Sequence, residues 1–178
     1  LPGRHNVANA LAAIAVGLAC NLALTEIRDG LEALRPVAGR LCRHTAPSGA
    51  IVIDDCYNAN PASVRAAIDI LAACGGRRTL VLGAMLELGP DSPRLHREIG
   101  EYARTAGIER FWGVGPELQQ AVSEFGSAGR FFADRDAWLT GEREALGPDD
   151  TLLVKGSRSA GMEQVLNALL APADAGEA

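Results

Sequence analysis

Short apolar runs alternate with segments of helical periodicity along most of the chain. Each run is dominated by Val, Leu, Ile or Phe, and apolar residues recur every three or four positions in the segment that follows it. Continuous apolar runs are typical of strands that helices cover on both faces, so the pattern predicts five βα units in a doubly wound, mainly parallel sheet of a three-layer α/β/α fold. The runs are IVIDD (51–55), TLVLG (79–83), FWGV (111–114), RFFA (130–133) and TLLVK (151–155).

Polar residues mark the starts of the helices between these strands. Asn60, which precedes a proline, and Asp134 are predicted N-caps, because a side-chain oxygen at that position accepts a hydrogen bond from the first helical turn. The helix after TLVLG is predicted to be entered at Asp91, Ser92 and Pro93. A further strand at residues 41–45 is expected to pair with residues 50–54 across the turn PSG.

The beginning of the chain has a different, purely helical pattern. Apolar residues recur at helical spacing from His5, and a second short helix is predicted after Thr25, a suitable N-cap. The stretch RPVAG, which contains Pro36, then interrupts the periodicity. We therefore expect two domains, residues 1–36 and residues 37–178.

Composition and charge exclude several classes of function. A formal net charge of −5, a pI near 5.2 and the absence of a basic run argue against nucleic acid as a partner. The longest apolar stretch, residues 7–24, is interrupted by Asn9 and Asn21 and falls short of a membrane span, so no membrane partner and a cytoplasmic location are expected. The four cysteines have no CxxC spacing, which gives no support for a zinc site or a disulfide framework.

Polar clusters follow strands of the predicted sheet, at the edge where ligands collect in an open α/β fold. In IDDCYNANP (53–61), Asp55 and Asn58 are not needed as caps and are expected to face the crevice. GAMLELG (83–89) is a third and weaker cluster, in which Glu87 is either part of the candidate site or a solvated loop acid.

The strongest candidate for an anion site is VKGSRSAGME (154–163). Lys155 ends a strand, and Ser157 and Arg158 follow where a helix begins. Free backbone N–H groups beside a hydroxyl and a guanidinium suit a carboxylate or a phosphate. A capped helix with a solvated arginine is the other interpretation.

Two phosphate-binding motifs are missing from the chain. GVGPEL lacks the third glycine of GxGxxG, and no Walker A sequence occurs. The chain therefore cannot cradle the phosphates of ATP unaided. Arg40, just after the boundary, is a candidate to reach a phosphate across it, and the other interpretation of an isolated arginine is a solvated surface residue.

Together these segments resemble the Mur ligase family. They occur in that family's order across nearly all 178 residues, and YNANP and MLELG combined with KGSR point to the activity that adds D-alanyl-D-alanine to UDP-N-acetylmuramoyl-tripeptide. The segments are GRHNVANALAA, LRPVAGRL, IDDCYNANPASVRAAI, VLGAMLELG and LLVKGSRSAGME.

This resemblance implies an ATP-dependent amide ligase of peptidoglycan synthesis. Residues 1–36 would be the helical end of its central ATPase domain, and residues 37–178 its Rossmann-like C-terminal domain. The UDP-sugar domain, the P-loop and most ligands of Mg²⁺ would belong to upstream domains of the same polypeptide, so no metal ligand is assigned here. The 178 residues alone are expected to be inactive.

The resemblance also implies the nucleotide contacts. Asn6 would contact the adenine, Arg40 the terminal phosphate and Asp55 the ribose hydroxyls, with Asn58 nearby. These residue types suit those groups, because a carboxylate accepts from a diol and a guanidinium stabilises a phosphoryl oxyanion.

For the amino substrate, the resemblance implies that Lys155, Ser157 and Arg158 hold the D-alanyl-D-alanine carboxylate. Arg40 and Lys155 would be the catalytic residues. The family usually carries an acid at the position of Ala84, so a polar contact of that loop is expected to be lost here.

In such ligases a substrate carboxylate attacks the terminal phosphate of ATP to give an acyl phosphate and ADP. The incoming amine then attacks the acyl carbon and displaces phosphate through a tetrahedral intermediate. Closure of the two domains around the nucleotide is the expected mechanism. The alternatives are a related amide ligase, of the folylpolyglutamate or cyanophycin synthetase type, and a non-catalytic α/β module that binds a nucleotide or a peptide.

Overall fold

Six strands and seven α-helices are present in the residues that the computed structural model describes, which are 4–35, 37–141 and 145–172. These elements belong to two units, Leu1–Val37 and Ala38–Ala178. Pro36 and the side chain of His5, which the sequence analysis singled out, lie outside the described part. Assignment of the first unit to a central ATPase domain stays a prediction.

The first unit contains the two predicted helices, α1 (Arg4–Ala19) and α2 (Leu24–Glu32). They approach closely at Gly17, where a Cβ atom would lie 2.8 Å from the Ile27 side chain. The predicted N-cap at Thr25 is wrong, because α2 begins two residues earlier, after Ala23. The Ala23 backbone N–H donates instead to the Glu26 carboxylate at 2.8 Å.

The second unit is built on one sheet in the order β1-β2-β6-β3-β4-β5. Strands β2 to β6 are parallel, and β1 is an antiparallel edge strand whose Cys42 pairs with Asp54 and whose Thr45 pairs with Ile51. Both the doubly wound α/β class and the predicted hairpin are confirmed. The strands are β1 (Cys42–Thr45), β2 (Ile51–Asp55), β3 (Arg77–Gly83), β4 (Arg110–Val114), β5 (Gly129–Phe132) and β6 (Asp150–Lys155).

Helices cover both faces of this sheet. On one face, α3, α4 and α5 pack on alternate strand residues such as Ile53, Leu80 and Leu153. On the other face, α6 and α7 pack on Val81 and Val154. These strand side chains are almost completely buried, and each stabilises the fold by about 1.5–3 kcal/mol. The helices are α3 (Pro61–Ala72), α4 (Ser92–Thr105), α5 (Gln119–Phe125), α6 (Arg135–Thr140) and α7 (Glu163–Leu170).

Two of the predicted helix starts have the expected caps. Asn60 accepts from the Ser63 backbone N–H at 2.9 Å, and the Ser63 hydroxyl accepts from the Asn60 backbone N–H at 3.0 Å. Asp134 accepts from the Ala137 backbone N–H at 2.7 Å. Asp91 stands at the predicted entry of α4 but makes no side-chain cap. The Asn60 cap matters most, because it fixes where the loop after β2 ends.

Candidate functional site

The three polar clusters meet at one edge of the sheet. Strand β6 lies between β2 and β3. Residues 54–60, 83–89 and 155–161, which include the last one or two residues of each strand, therefore lie at the carboxyl ends of three neighbouring strands. This is the edge where open α/β sheets bind ligands. We call these three loops, with the segment 39–41 that packs beside them, the rim.

Lys155 lies beside Asp55 in the parallel register of β2 and β6. Its Nζ donates to Asp55 Oδ2 at 2.6 Å, to the Asn58 carbonyl at 2.7 Å and to the Asp55 carbonyl at 3.5 Å. Only 3% of Lys155 is exposed. A residue predicted to bind substrate is thus paired, inside the protein, with one predicted to bind the nucleotide.

Ser157 connects all three loops of the rim. Its hydroxyl accepts from the Leu86 backbone N–H at 2.8 Å and donates to the Ala59 carbonyl at 3.3 Å. Its backbone N–H donates to the Ala84 carbonyl at 2.9 Å. The side chain is buried, so these contacts set the spacing of the loops that follow β2 and β3.

Asp54 holds the segment 39–41 against the end of β2. Its carboxylate accepts from the Gly39 backbone N–H at 3.0 Å and from the Cys56 backbone N–H at 3.1 Å. The Tyr57 backbone N–H donates to the Gly39 carbonyl at 2.9 Å. Gly39 has a positive φ of 75°, and a Cβ atom there would lie 2.9 Å from the Tyr57 nitrogen, so this approach requires glycine.

Arg40 extends from this segment over the Tyr57 ring. Its guanidinium carbon is 4.2 Å from the ring centroid, and both side chains are exposed. The next residue, Leu41, has a φ of 53°, and its N–H donates to Asp55 Oδ1 at 3.3 Å. A left-handed backbone at leucine is strained and persists only where the surroundings impose it. Asp54 and Asp55 therefore hold the backbone on either side of Arg40, through the N–H groups of Gly39 and Leu41.

The remaining predicted residues of the rim are exposed. Asn58 Oδ1 accepts from the Ala59 backbone N–H at 2.8 Å. The side-chain NH₂ of Asn58 lies on the other side of the amide group from this bond. Arg158 forms an ion pair with Glu163 at 3.0 Å, and 73% of its side chain is exposed. Glu87 is exposed, with a φ of 62°.

His96 on α4 supports the rim and was missed by the sequence analysis. Its ring is completely buried, Nε2 accepts from the Met85 backbone N–H at 3.0 Å, and Nδ1 lies 2.8 Å from the Ser92 carbonyl. Since Nε2 accepts, we assign the proton to Nδ1, which donates to that carbonyl. The only sequence signal was the four-residue spacing of Ser92 and His96 on one helical face.

Burial governs the ionisation of the rim. It raises the pKa of the Asp55 carboxyl above its ordinary value, and the charge and hydrogen bond of Lys155 offset part of that effect. Burial and the neighbouring Asp54 also raise the pKa of the Cys56 thiol. That thiol stays protonated at neutral pH and donates to the Val154 carbonyl at 3.5 Å, so it is unsuited to act as a nucleophile.

Asn6, the remaining predicted nucleotide ligand, lies on α1 in the first unit, where its side-chain oxygen accepts from Asn9 at 3.4 Å. Within the described ranges, no group of three His, Cys, Asp or Glu side chains is arranged to hold a metal ion. Among these same residues, no helix has both the length and the apolar character needed to cross a bilayer.

The fold and the rim define an α/β domain whose candidate site lies at the edge where β2, β6 and β3 end. Residues 39–158 match the family model described as "Mur ligase, glutamate ligase domain". The chain belongs to the Mur ligase family, which confirms the resemblance in its sequence.

Curated relatives agree with this assignment. The chain is 44% identical over 171 residues to the UDP-N-acetylmuramoyl-tripeptide–D-alanyl-D-alanine ligase of Escherichia coli K12. The matched segment covers 95% of this chain and 38% of that protein. It is 36% identical to the ligase of the same name from Haemophilus influenzae, over 94% of this chain and 37% of the relative. The chain thus spans less than half the length of these relatives.

Solved structures show the same fold. A crystal structure of MurF from Acinetobacter baumannii matches 96% of this chain and 38% of its own, with a TM-score of 0.83 and 32% identity. MurF ligase from Thermotoga maritima in complex with ADP matches 94% of this chain and 38% of its own, with a TM-score of 0.81 and 25% identity. Folylpolyglutamate synthase from Mycobacterium tuberculosis, at 21% identity and a TM-score of 0.67, shares the fold.

Proposed function

We propose that this chain is the C-terminal part of an ATP-dependent ligase that joins D-alanyl-D-alanine to UDP-N-acetylmuramoyl-tripeptide. Family membership and the names of the relatives support the reaction. The 38% coverage of the Escherichia coli relative supports the placement within a longer enzyme. Exposed apolar residues on α1, including Val7, Leu11 and Val16, agree with a first unit that further domain surface would cover.

The observation that carries the nucleotide part of this proposal is the grouping of Arg40, Asp55 and Asn58 on the rim. Asp55 retains acceptor capacity, because a carboxylate offers about four lone-pair directions and one hydrogen bond reaches each of its oxygens. Its side chain is 13% exposed, enough for a ribose diol to reach it at the surface. Asn6 is proposed to contact the adenine.

The ATP supplies a phosphoryl group to form an acyl phosphate from the tripeptide carboxylate. The exposed guanidinium of Arg40 is suited to the charge on a terminal phosphate. Most ligands of Mg²⁺ are proposed to come from upstream domains.

KGSR is proposed to serve D-alanyl-D-alanine. Of its side chains, Arg158 is exposed, and its ion pair with Glu163 is of the solvated kind that exchanges readily for another carboxylate. Lys155 and Ser157 are buried, so their part in substrate binding depends on the loops that they hold. All four cysteines are free thiols, in agreement with the reducing cytoplasm, where we place the enzyme.

The test is release of ADP by the complete ligase that contains this chain. We expect release to require both UDP-N-acetylmuramoyl-tripeptide and D-alanyl-D-alanine. Release that instead requires folylpolyglutamate and glutamate would establish the related amide ligase. If the complete protein bound nucleotide but formed no amide with any amino substrate, the non-catalytic module would replace both.

A further inference from the structure

The ammonium group of Lys155 is saturated by acceptors of this chain. An ammonium has three N–H donors, and Nζ has three oxygen atoms within 3.5 Å, the Asp55 carboxylate and the Asp55 and Asn58 carbonyls. With 3% of the residue exposed, no N–H is directed at a ligand outside the protein.

The residue type fits this enclosed role. Of the 17 Lys and Arg residues in the sequence, Lys155 is the only lysine. A guanidinium presents its donors in a planar fork, whereas an ammonium is a compact charge whose donors converge on close acceptors. The chain therefore uses lysine at the position where a single nitrogen must contact one carboxylate and two carbonyls.

A move of Lys155 toward a substrate carboxylate would break this arrangement. Asp55 would then keep a largely buried carboxylate without its cationic partner, which is unfavourable. The Asn58 carbonyl would lose its 2.7 Å donor at the same time. A substrate anion meets no such barrier at Arg158, whose guanidinium is already at the surface.

We propose that Lys155 is a positioning residue for the nucleotide side of the rim. It holds the Asp55 carboxylate toward the ribose and ties down the backbone at Asn58, and it does not bind the D-alanyl-D-alanine carboxylate. This inference rests on the proposed function, specifically on the contact between Asp55 and the ribose hydroxyls. It assigns Lys155 to the nucleotide, although its position in KGSR had suggested the amino substrate.

The experiment compares kcat/KM for ATP and for 2′-deoxy-ATP in the complete ligase, along with KM for D-alanyl-D-alanine. Asp55→Asn is expected to reduce the preference of the wild type for ATP by about tenfold, the scale of one charge-assisted hydrogen bond. Lys155→Met, which keeps the length of the side chain, is expected to reduce that preference nearly as much and to leave KM for D-alanyl-D-alanine within about twofold. The double variant should lose no more than the larger single effect, because the two residues act as a unit.

The two proposals fail in different ways. If Asp55→Asn left the preference for ATP unchanged, the ribose contact would be wrong, and the inference would fall with it. The inference would be overturned, and the ribose contact would stand, under a different pair of results. Asp55→Asn would reduce the preference for ATP as expected, whereas Lys155→Met would keep that preference and raise KM for D-alanyl-D-alanine tenfold or more.

Acetylation of the wild-type ligase keeps the inference testable if Lys155→Met does not fold. Peptide mass spectrometry should find Lys155 largely unmodified by acetic anhydride under native conditions, at the same level with and without D-alanyl-D-alanine. Ready modification that D-alanyl-D-alanine suppresses would show that the amino group faces the amino substrate, and it would overturn the proposal.

Discussion

The guanidinium carbon of Arg40 lies 4.2 Å from the centroid of the Tyr57 ring. The two residues come from different segments, and the Asp54 carboxylate and the Gly39 carbonyl join these segments through backbone N–H groups. Arg40 thus extends from a backbone that hydrogen bonds hold in place, and its guanidinium lies over the Tyr57 ring. An arginine side chain placed in this way loses less conformational entropy when it meets a phosphate.

Removal of the Tyr57 ring should weaken catalysis through Arg40. We expect Tyr57→Leu to lower kcat/KM for ATP of the complete ligase by about twofold to fivefold, because an exposed cation–π contact contributes about 0.5–1 kcal/mol. Tyr57→Phe keeps the ring and should match the wild type. Steady-state kinetics at varied ATP provide the measurement. Equal losses in the two variants would mean that the hydroxyl, and not the ring, is the important group.

Arg40 and Asp55 themselves should be needed for turnover. We expect Arg40→Ala to lower kcat of the complete ligase by about 10²-fold or more, the usual scale for loss of a charge-stabilising group. Asp55→Ala should also lower kcat substantially. Arg43→Ala is the matched control, since Arg43 is an exposed arginine on β1, three residues away. Wild-type rates for Arg40→Ala at saturating ATP would remove Arg40 from the mechanism.

The 178 residues alone should not turn over ATP. The sequence has no Walker A motif, and that motif supplies the backbone N–H groups and the lysine that hold the β- and γ-phosphates. Purified chain, incubated with ATP and Mg²⁺, should release phosphate at the rate of the buffer blank. Phosphate release that follows the concentration of the chain would contradict this view of the missing P-loop.

Asp150 should make stability depend on pH. Its carboxylate is buried and accepts from Arg77 Nε at 2.8 Å, Arg110 at 2.5 Å and the Gly147 backbone N–H at 2.8 Å. Burial alone would raise the pKa of Asp150, but the hydrogen bonds and charges of these partners outweigh it and lower the pKa below its ordinary value. The ionised form is therefore favoured by folding.

The sign of the pH effect follows from this lowered pKa. The stabilisation is fully present above the unfolded pKa of about 3.9 and is lost as the pH falls through the lower, folded value. Asp150→Asn should reduce the free energy of unfolding at pH 7 by about 3–5 kcal/mol, because it removes the buried carboxylate that accepts from both Arg77 and Arg110. Urea unfolding between pH 7 and pH 3 should show this difference shrink below pH 4. Asp149→Asn, at the exposed neighbour, is the control, and a difference independent of pH would contradict the ionic origin.

The hydrophobic pattern was sufficient to predict the elements and the sheet class, but it did not contain the order of the strands. Periodicity reports which face of an element is buried and says nothing about its neighbours. Insertion of β6 between β2 and β3 brings Asp55 beside Lys155 in the register. That contact joins residues 100 positions apart, so the burial of Lys155 was not readable from the sequence.

Motif chemistry showed the same limit within the candidate site. KGSR was interpreted as three ligands for one anion, whereas the structure buries Lys155 and Ser157 and exposes Arg158. A charged residue that ends a strand can point outward or turn back onto the neighbouring strand, and its residue type does not distinguish the two. His96 was missed for the converse reason, since its partner is the backbone of Met85, and a backbone partner leaves no mark in the sequence.

Gly100 tests the packing of the helices on the face of the sheet that carries α4 and α5. A Cβ atom at Gly100 would lie 2.0 Å from the Ala121 carbonyl oxygen, and a backbone atom cannot rotate away as a side chain can. Alanine is favoured over glycine within a helix by about 1 kcal/mol, but we expect the clash to dominate and Gly100→Ala to lower the free energy of unfolding by about 1–3 kcal/mol. Gly75→Ala is the control, because no described heavy atom within 4 Å faces its Cβ position, and its effect should be within about 0.5 kcal/mol. Urea denaturation that found Gly100→Ala more stable than the wild type would mean that α4 and α5 can separate without loss, and that helix propensity, not close approach, decides at this position.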